Sequence, residues 1–109
     1  MKYLILFKSD TDSIPACKDK AEMGGLIGEL QQSGALLATE GLHPTHRGAL
    51  VKLHAGEAKV TDGPFAEAKE IIAGFVLLDV PSKAEAVRLS QRFLTIAGTG
   101  TAEVREVIV

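Results

Sequence analysis

The sequence predicts an α+β fold of ferredoxin-like type, in which two helices cover one face of an antiparallel sheet. Three observations lead there. Two strand-length runs, "KYLILFK" (2–8) and "IIAGFVLLDV" (71–80), are apolar at nearly every position, as expected of strands covered on both faces. Each run is followed by a segment of helical periodicity. The order strand, helix, strand, hairpin, strand, helix, strand then resolves into two βαβ-like halves within one domain, 1–109.

The elements follow in order. After the first strand, "SDTDSIP" (9–15) is a polar connector. Ser13 or Asp12 is placed to cap a helix that Pro15 enters in its first turn. Met23, Leu26, Ile27 and Leu30 form one helical stripe, and Gly34 fits the position just past the helix end. Gly24, Gly25 and Gly28 interrupt that helix at roughly 1 kcal/mol each relative to Ala. They indicate a weak helix stabilised by packing or a close approach to a neighbouring backbone or ligand. "ALLATEGL" (35–42) reads as a short strand, "HPTHRG" (43–48) as a loop, and "ALVKLHAGEAKVT" (49–61) as a hairpin turning near Ala55-Gly56-Glu57. Gly74 in the fifth strand signals a bulge or a close contact. Ser82 and Glu85 have capping-box spacing. Ala86, Val87, Ser90, Phe93, Leu94 and Ala97 are expected to form the inward face of the second helix. "TAEVREVIV" (101–109) closes the sheet, with Ala102, Val104, Glu106 and Ile108 on one side.

Two helices cover only one face of such a sheet, whereas the first and fifth strands require cover on both. A second copy related by a two-fold axis satisfies this most simply, which predicts a homodimer, a dimeric α+β barrel.

Composition narrows the function. The 109 residues are 46% hydrophobic and 24% charged, with a formal net charge of −2. That describes a globular chain and gives no basic footprint for direct nucleic-acid binding. The opening apolar run is too short for a membrane span and has no secretory pattern after it, so a cytoplasmic protein without membrane contact is expected. Cys17 is the sole cysteine, which excludes an internal disulfide and any CxxC site and reads as a packing residue. Neither a phosphate-cradling glycine loop nor a serine nucleophile elbow is present.

The polar candidates fall into two groups. In Asp62-Gly63-Pro64-Phe65, the carboxylate suits an Asx-turn, Pro64 fixes φ, and Phe65 is the expected buried anchor of a shaped corner. The corner is also a candidate rim for a ligand site. Glu67, Lys69 and Glu70 follow just before a buried strand. A solvated charge run accounts for them, but Lys69 and Glu70 are also candidates for proton transfer if they face a pocket. The second group is Glu40, His43 and His46. His43 with Glu40 has the composition of a general base and its orienting carboxylate. Two His three apart with a Glu is a weak metal signal, and neither metal nor cofactor is expected. His54 sits at the hairpin end, where surface exposure is the plain expectation.

"Glu40-Gly41-Leu42", the run from Val60 through Asp62-Gly63-Pro64-Phe65 to Glu70, "Ala73-Gly74-Phe75", and an aliphatic first strand opening Lys2-Tyr3 together resemble the DGPF branch of the YCII-related proteins. The match spans essentially the whole chain. The resemblance implies a small cytoplasmic dimeric α+β barrel. It also implies a branch of mostly unassigned function, with related domains beside or fused to sigma factors of the extracytoplasmic type, hence a transcription-related protein partner. The broader family is similar to a dehydrochlorinase of aromatic degradation, with a His in the first helix and an Asp after the second as its suspected acid–base pair. Counting back from Leu30-Gln31-Gln32-Ser33-Gly34 places Met23 at that His, and "RFLTIAGTG" contains no Asp. A thioether exchanges no proton, so the enzymatic role does not carry over by motif.

Three functions are therefore in competition: a small-molecule-binding or regulatory homodimeric module; a cofactor-free enzyme of proton transfer or elimination on a small, aromatic-type substrate, using Glu40, His43, Lys69 or Glu70; and a purely structural dimerisation module.

Overall fold

The computed structural model describes residues 1–13, 16–64 and 71–108. Six strands and two helices follow the expected order: β1 (Lys2–Ser9), α1 (Lys20–Ser33), β2 (Leu36–Gly41), β3 (Ala49–His54), β4 (Glu57–Asp62), β5 (Ile71–Asp79), α2 (Lys83–Ala97) and β6 (Thr101–Glu106). Four of the strands form one antiparallel sheet in the order β2-β5-β1-β6, and among the described residues β3 and β4 pair with each other alone as a separate two-stranded sheet. The four-stranded sheet and its two helices are the ferredoxin-like α+β arrangement, with the hairpin inserted between β2 and β5.

Register assigns the sheet faces, because paired residues share a face. Tyr3 pairs with Leu78, Ile5 with Val76 and Phe7 with Gly74. Tyr3, Ile5, Val76 and Leu78 are buried together with Leu26 and Leu30 of α1 and with Ala86, Leu89, Phe93 and Ile96 of α2. Phe7 completes this layer against Phe93, at a ring-centroid distance of 5.7 Å, which suits a tilted aromatic pair. The opposite face carries Leu4 paired with Leu77 and Leu6 paired with Phe75. These four are only half-buried, because among the described residues no helix lies over them. Lys8 and Glu103 form an ion pair at 2.6 Å on that face, and Arg105 reaches Glu103 at 3.1 Å.

Both helices are capped as their chemistry requires, although one starts later than expected. Asp19, rather than Ser13 or Asp12, is the N-cap of α1, and its carboxylate accepts from the Glu22 amide at 2.9 Å. Asp12 is used elsewhere: it accepts the Thr45 amide at 2.8 Å and also binds the Thr45 hydroxyl. Pro15 lies outside the described residues. Gly34 ends α1 in the left-handed region at φ 82°. Ser82 caps α2 by accepting from the Glu85 amide at 3.2 Å, while the Glu85 carboxylate pairs with Arg88 instead of returning to the cap. The inward stripe of α2 is Ala86, Leu89, Ser90, Phe93 and Ile96, with Leu94 and Ala97 half-buried and Val87 exposed. Val87 is thus a correction to the expected face. Apolar residues occur on two adjacent stripes of this helix, and the packing angle against the sheet selects between them.

The hairpin turns through Ala55 at φ 51° and Gly56 at φ 82°, the two positive φ values of a type I′ turn. A single 3-10 turn, Thr45–Arg47, braces its base. The Gly63 amide donates to Gly48 O at 2.9 Å. A Cβ on Gly63 would lie 1.6 Å from the Thr45 carbonyl oxygen, so backbone contact is what this position requires. Among the described residues, no helix is long and apolar enough to cross a membrane.

Candidate functional site

A cavity of about 450 Å³ opens at the end of the sheet where β1 finishes and β5 begins, between the sheet and the two helices. The floor explains why it exists. Gly41 of β2 pairs with Gly74 of β5, which pairs in turn with Phe7 of β1. All three project toward the helices, so two of three neighbouring strand positions have no side chain. Gly74 cannot be enlarged without moving backbone, because a Cβ there would come within 2.9 Å of Glu40 O. Gly41 has nothing within 4 Å of an added Cβ, so its side of the floor is open space. The Thr39 hydroxyl donates to Phe75 O at 3.0 Å, which ties β2 to β5 beside this floor.

The walls are apolar. Met23 and Ile27 of α1 line one side, and Phe93, Leu94 and Ala97 of α2 the other. Cys17 also faces the cavity, in a connector held to the α2 terminus by the Lys18 amide, which donates to Ala97 O at 3.1 Å. Ser9, Thr99 and His43 add polar groups to the lining. Met23, the position at which the resemblance implies a His in the broader family, faces this space and presents it with an apolar thioether side chain.

The predicted site residues are distributed as follows. Glu40 and His43 both belong to the lining. β2 pairs Glu40 with Phe75, so the Glu40 side chain is on the open face of the sheet while its backbone borders the cavity. His43 is exposed, and its Nε2 lies 3.2 Å from Arg47 Nη1. Arginine only donates, so Nε2 accepts. Arg47 is a neighbour that sequence reasoning did not single out. His46 and His54 are exposed. No group of three or more metal-ligating side chains assembles among the described residues. Asp62 and Pro64 are exposed and Gly63 packs on Thr45. These three build the hairpin base and do not appear in the cavity lining. Phe65, Glu67, Lys69 and Glu70 lie outside the described residues.

The carboxylates near this end of the fold are tuned by their partners. The Thr45 hydroxyl, then the Thr45 amide, hold the Asp12 carboxyl below the usual carboxylate range. On the open sheet face, the hydrogen bond from Lys8 and then that from Arg105 do the same for Glu103. Both groups are therefore charged and acceptor-only at neutral pH.

The arrangement suits binding of a largely apolar molecule. A dry cavity of about 150 Å³ accepts one benzene ring, so a space three times larger holds a fused bicyclic or similarly sized body. The few polar groups are placed to orient it.

The YCII-related domain family model matches residues 1–109. An uncharacterized protein from Rhizobium meliloti (strain 1021) is 36% identical over 114 residues, covering 96% of this chain and 90% of the relative.

Proposed function

We propose that this chain, which belongs to the YCII-related family, is a homodimeric small-molecule-binding module of the DGPF branch, and that the glycine-floored cavity is its binding site. The observation that carries this reading is the pairing of Gly41 with Gly74 beneath walls formed by Met23, Ile27, Phe93 and Leu94. Gly74 is dictated by its backbone contact with Glu40, but an added Cβ at Gly41 meets nothing within 4 Å, and an unfilled position there is a feature that a purely structural module has no use for. The ligand class is small and mainly apolar, aromatic bodies included. The bound state serves regulation, through a transcription-related protein partner. The uncovered leucines of β1 and β5 support the homodimer, since a second sheet buries them. Met23 at the cavity wall supports binding without turnover.

The test uses 2-naphthol as probe in calorimetric titration. The wild-type protein is expected to bind it, and Gly41→Val, whose side chain enters open space, to bind at least tenfold more weakly. Absence of binding to the wild-type protein, or equal binding by the variant, overturns the reading.

A second reading, proton transfer on a small substrate, is favoured by one observation: His43 is in the lining and its Nε2 accepts from Arg47. Nδ1 then carries the ring proton, so His43 takes a proton from the substrate on Nε2 by exchanging the bond from Arg47 for the substrate. Metal-independent turnover that disappears in His43→Ala would establish this reading in place of the first.

A further inference from the structure

The mouth of the glycine-floored cavity carries a positive charge that no acid neutralises. His43 is exposed and belongs to the lining, which places it at the mouth. Its Nε2 accepts from Arg47 Nη1 at 3.2 Å, so one of the five N–H donors of that guanidinium is used. Arg88, Arg92 and Arg105, the other three arginines of the chain, pair with Glu85, Glu29 and Glu103 respectively. Among the described residues, Arg47 pairs with no carboxylate. Its place is nevertheless fixed by the backbone. It ends the 3-10 turn Thr45–Arg47, and its amide donates to Pro44 O at 3.1 Å. The turn is tied in turn to the segment after β1 by Asp12, which accepts the Thr45 amide at 2.8 Å.

We propose that the ligand of the cavity is an aromatic carboxylic acid, bound as its anion with the ring system inside and the carboxylate on the Arg47 guanidinium. This rests on the binding reading above and specifies the chemical class of the ligand and the residue that selects it. The interior admits no charge. Its walls, Met23, Ile27, Phe93 and Leu94, offer a charged group no partner, so such a group stays at the mouth while an apolar body enters. Phe7 and Phe93, tilted against each other at 5.7 Å, both line the space and present ring surface to that body, which favours an aromatic one. The sign of the charge follows from the lining. Among its described residues Glu40 alone bears a carboxylate, and that side chain lies on the open sheet face. The Lys8 amine is held by Glu103 at 2.6 Å on the same face. A cation therefore meets no acid at the mouth and is repelled by Arg47, whereas an anion meets a free planar fork. The paired N–H groups of a guanidinium match the two oxygens of a carboxylate. A phenol brings one oxygen and no charge at neutral pH, and is held less tightly.

The experiment is calorimetric titration of the full chain with 2-naphthoate, 2-naphthol and 2-naphthylmethylammonium, three probes that share one ring system and differ in charge. Wild-type protein is expected to bind 2-naphthoate at least about tenfold more tightly than 2-naphthol, and the ammonium most weakly. 2-Naphthoate is expected to displace bound 2-naphthol. Arg47→Gln should abolish the preference for 2-naphthoate, and Arg47→Lys, which keeps the charge without the fork, should retain part of it. Arg47 is exposed, so the circular dichroism spectrum should be that of the wild-type protein in both variants. Binding of 2-naphthol with no preference for 2-naphthoate, a preference that persists in Arg47→Gln, or 2-naphthoate that binds and leaves 2-naphthol in place overturns the carboxylate assignment and leaves the cavity reading standing. Failure of 2-naphthol to bind overturns the cavity reading itself, and the assignment with it.

Discussion

Gly63→Ala isolates the role of the corner at the base of the hairpin. Alanine is compatible with the extended backbone that precedes a proline, so the effect is steric. The new Cβ would sit 1.6 Å from the Thr45 carbonyl oxygen, and real contacts stay beyond 3.0 Å, so the two backbones must separate by about 1.4 Å. That displacement breaks the bond from the Gly63 amide to Gly48 O at 2.9 Å and disturbs the one from the Gly48 amide to Thr45 O, also at 2.9 Å. At about 1 kcal/mol for each backbone bond, with strain added, the local cost is roughly 1–3 kcal/mol. In native-state hydrogen exchange this corresponds to Gly63 and Gly48 amides exchanging roughly 5- to 150-fold faster, with the amides of α2 unchanged. Unaltered protection at both glycines would refute the account of the corner as a backbone contact that only glycine permits.

Gly25→Ala should act in the opposite direction: it lies inside α1 with nothing within 4 Å of an added Cβ, so thermal unfolding should show a gain of roughly 0.5–1 kcal/mol. Leu78→Ala removes a fully buried side chain from the core layer and should cost about 2–5 kcal/mol by denaturant titration. The Asp12 contacts to Thr45 depend on an ionised carboxylate whose pKa is lowered in the folded protein. Their contribution is complete above the unfolded value, about 3.9, and is lost as pH falls through the lower folded value. The Thr45 amide resonance should therefore titrate with a midpoint below that of a free aspartate, and Asp12→Asn should abolish the transition.

Much of the fold was legible in the sequence, because the signals involved are local. Gly34 ends one helix and Ser82 starts the other as their chemistry dictates, and Ala55-Gly56 turns the hairpin where two positive φ values are needed. The misplaced features depend on distant partners. Asp12 and Asp19 are equally good caps in isolation, and Thr45, far along the chain, recruits Asp12. Val87 belongs to an apolar stripe that the sheet does not select. The close contact expected at Gly74 is present, against Glu40 O, but its wider consequence was not legible. Only the register of β2 with β5 and of β5 with β1 reveals that Gly41 and Gly74 lie side by side and open a cavity. Arg47 escaped notice for the same reason, since its relation to His43 is created by the 3-10 turn between them.

The most direct test of the binding account is nuclear magnetic resonance of methyl-labelled protein saturated with 2-naphthol. Intermolecular Overhauser contacts from the probe to the Met23, Ile27 and Leu94 methyl groups, lost in Gly41→Val, are the predicted result. Contacts confined to Val51, Leu53 and Val60 of the hairpin, or none at all, would contradict it.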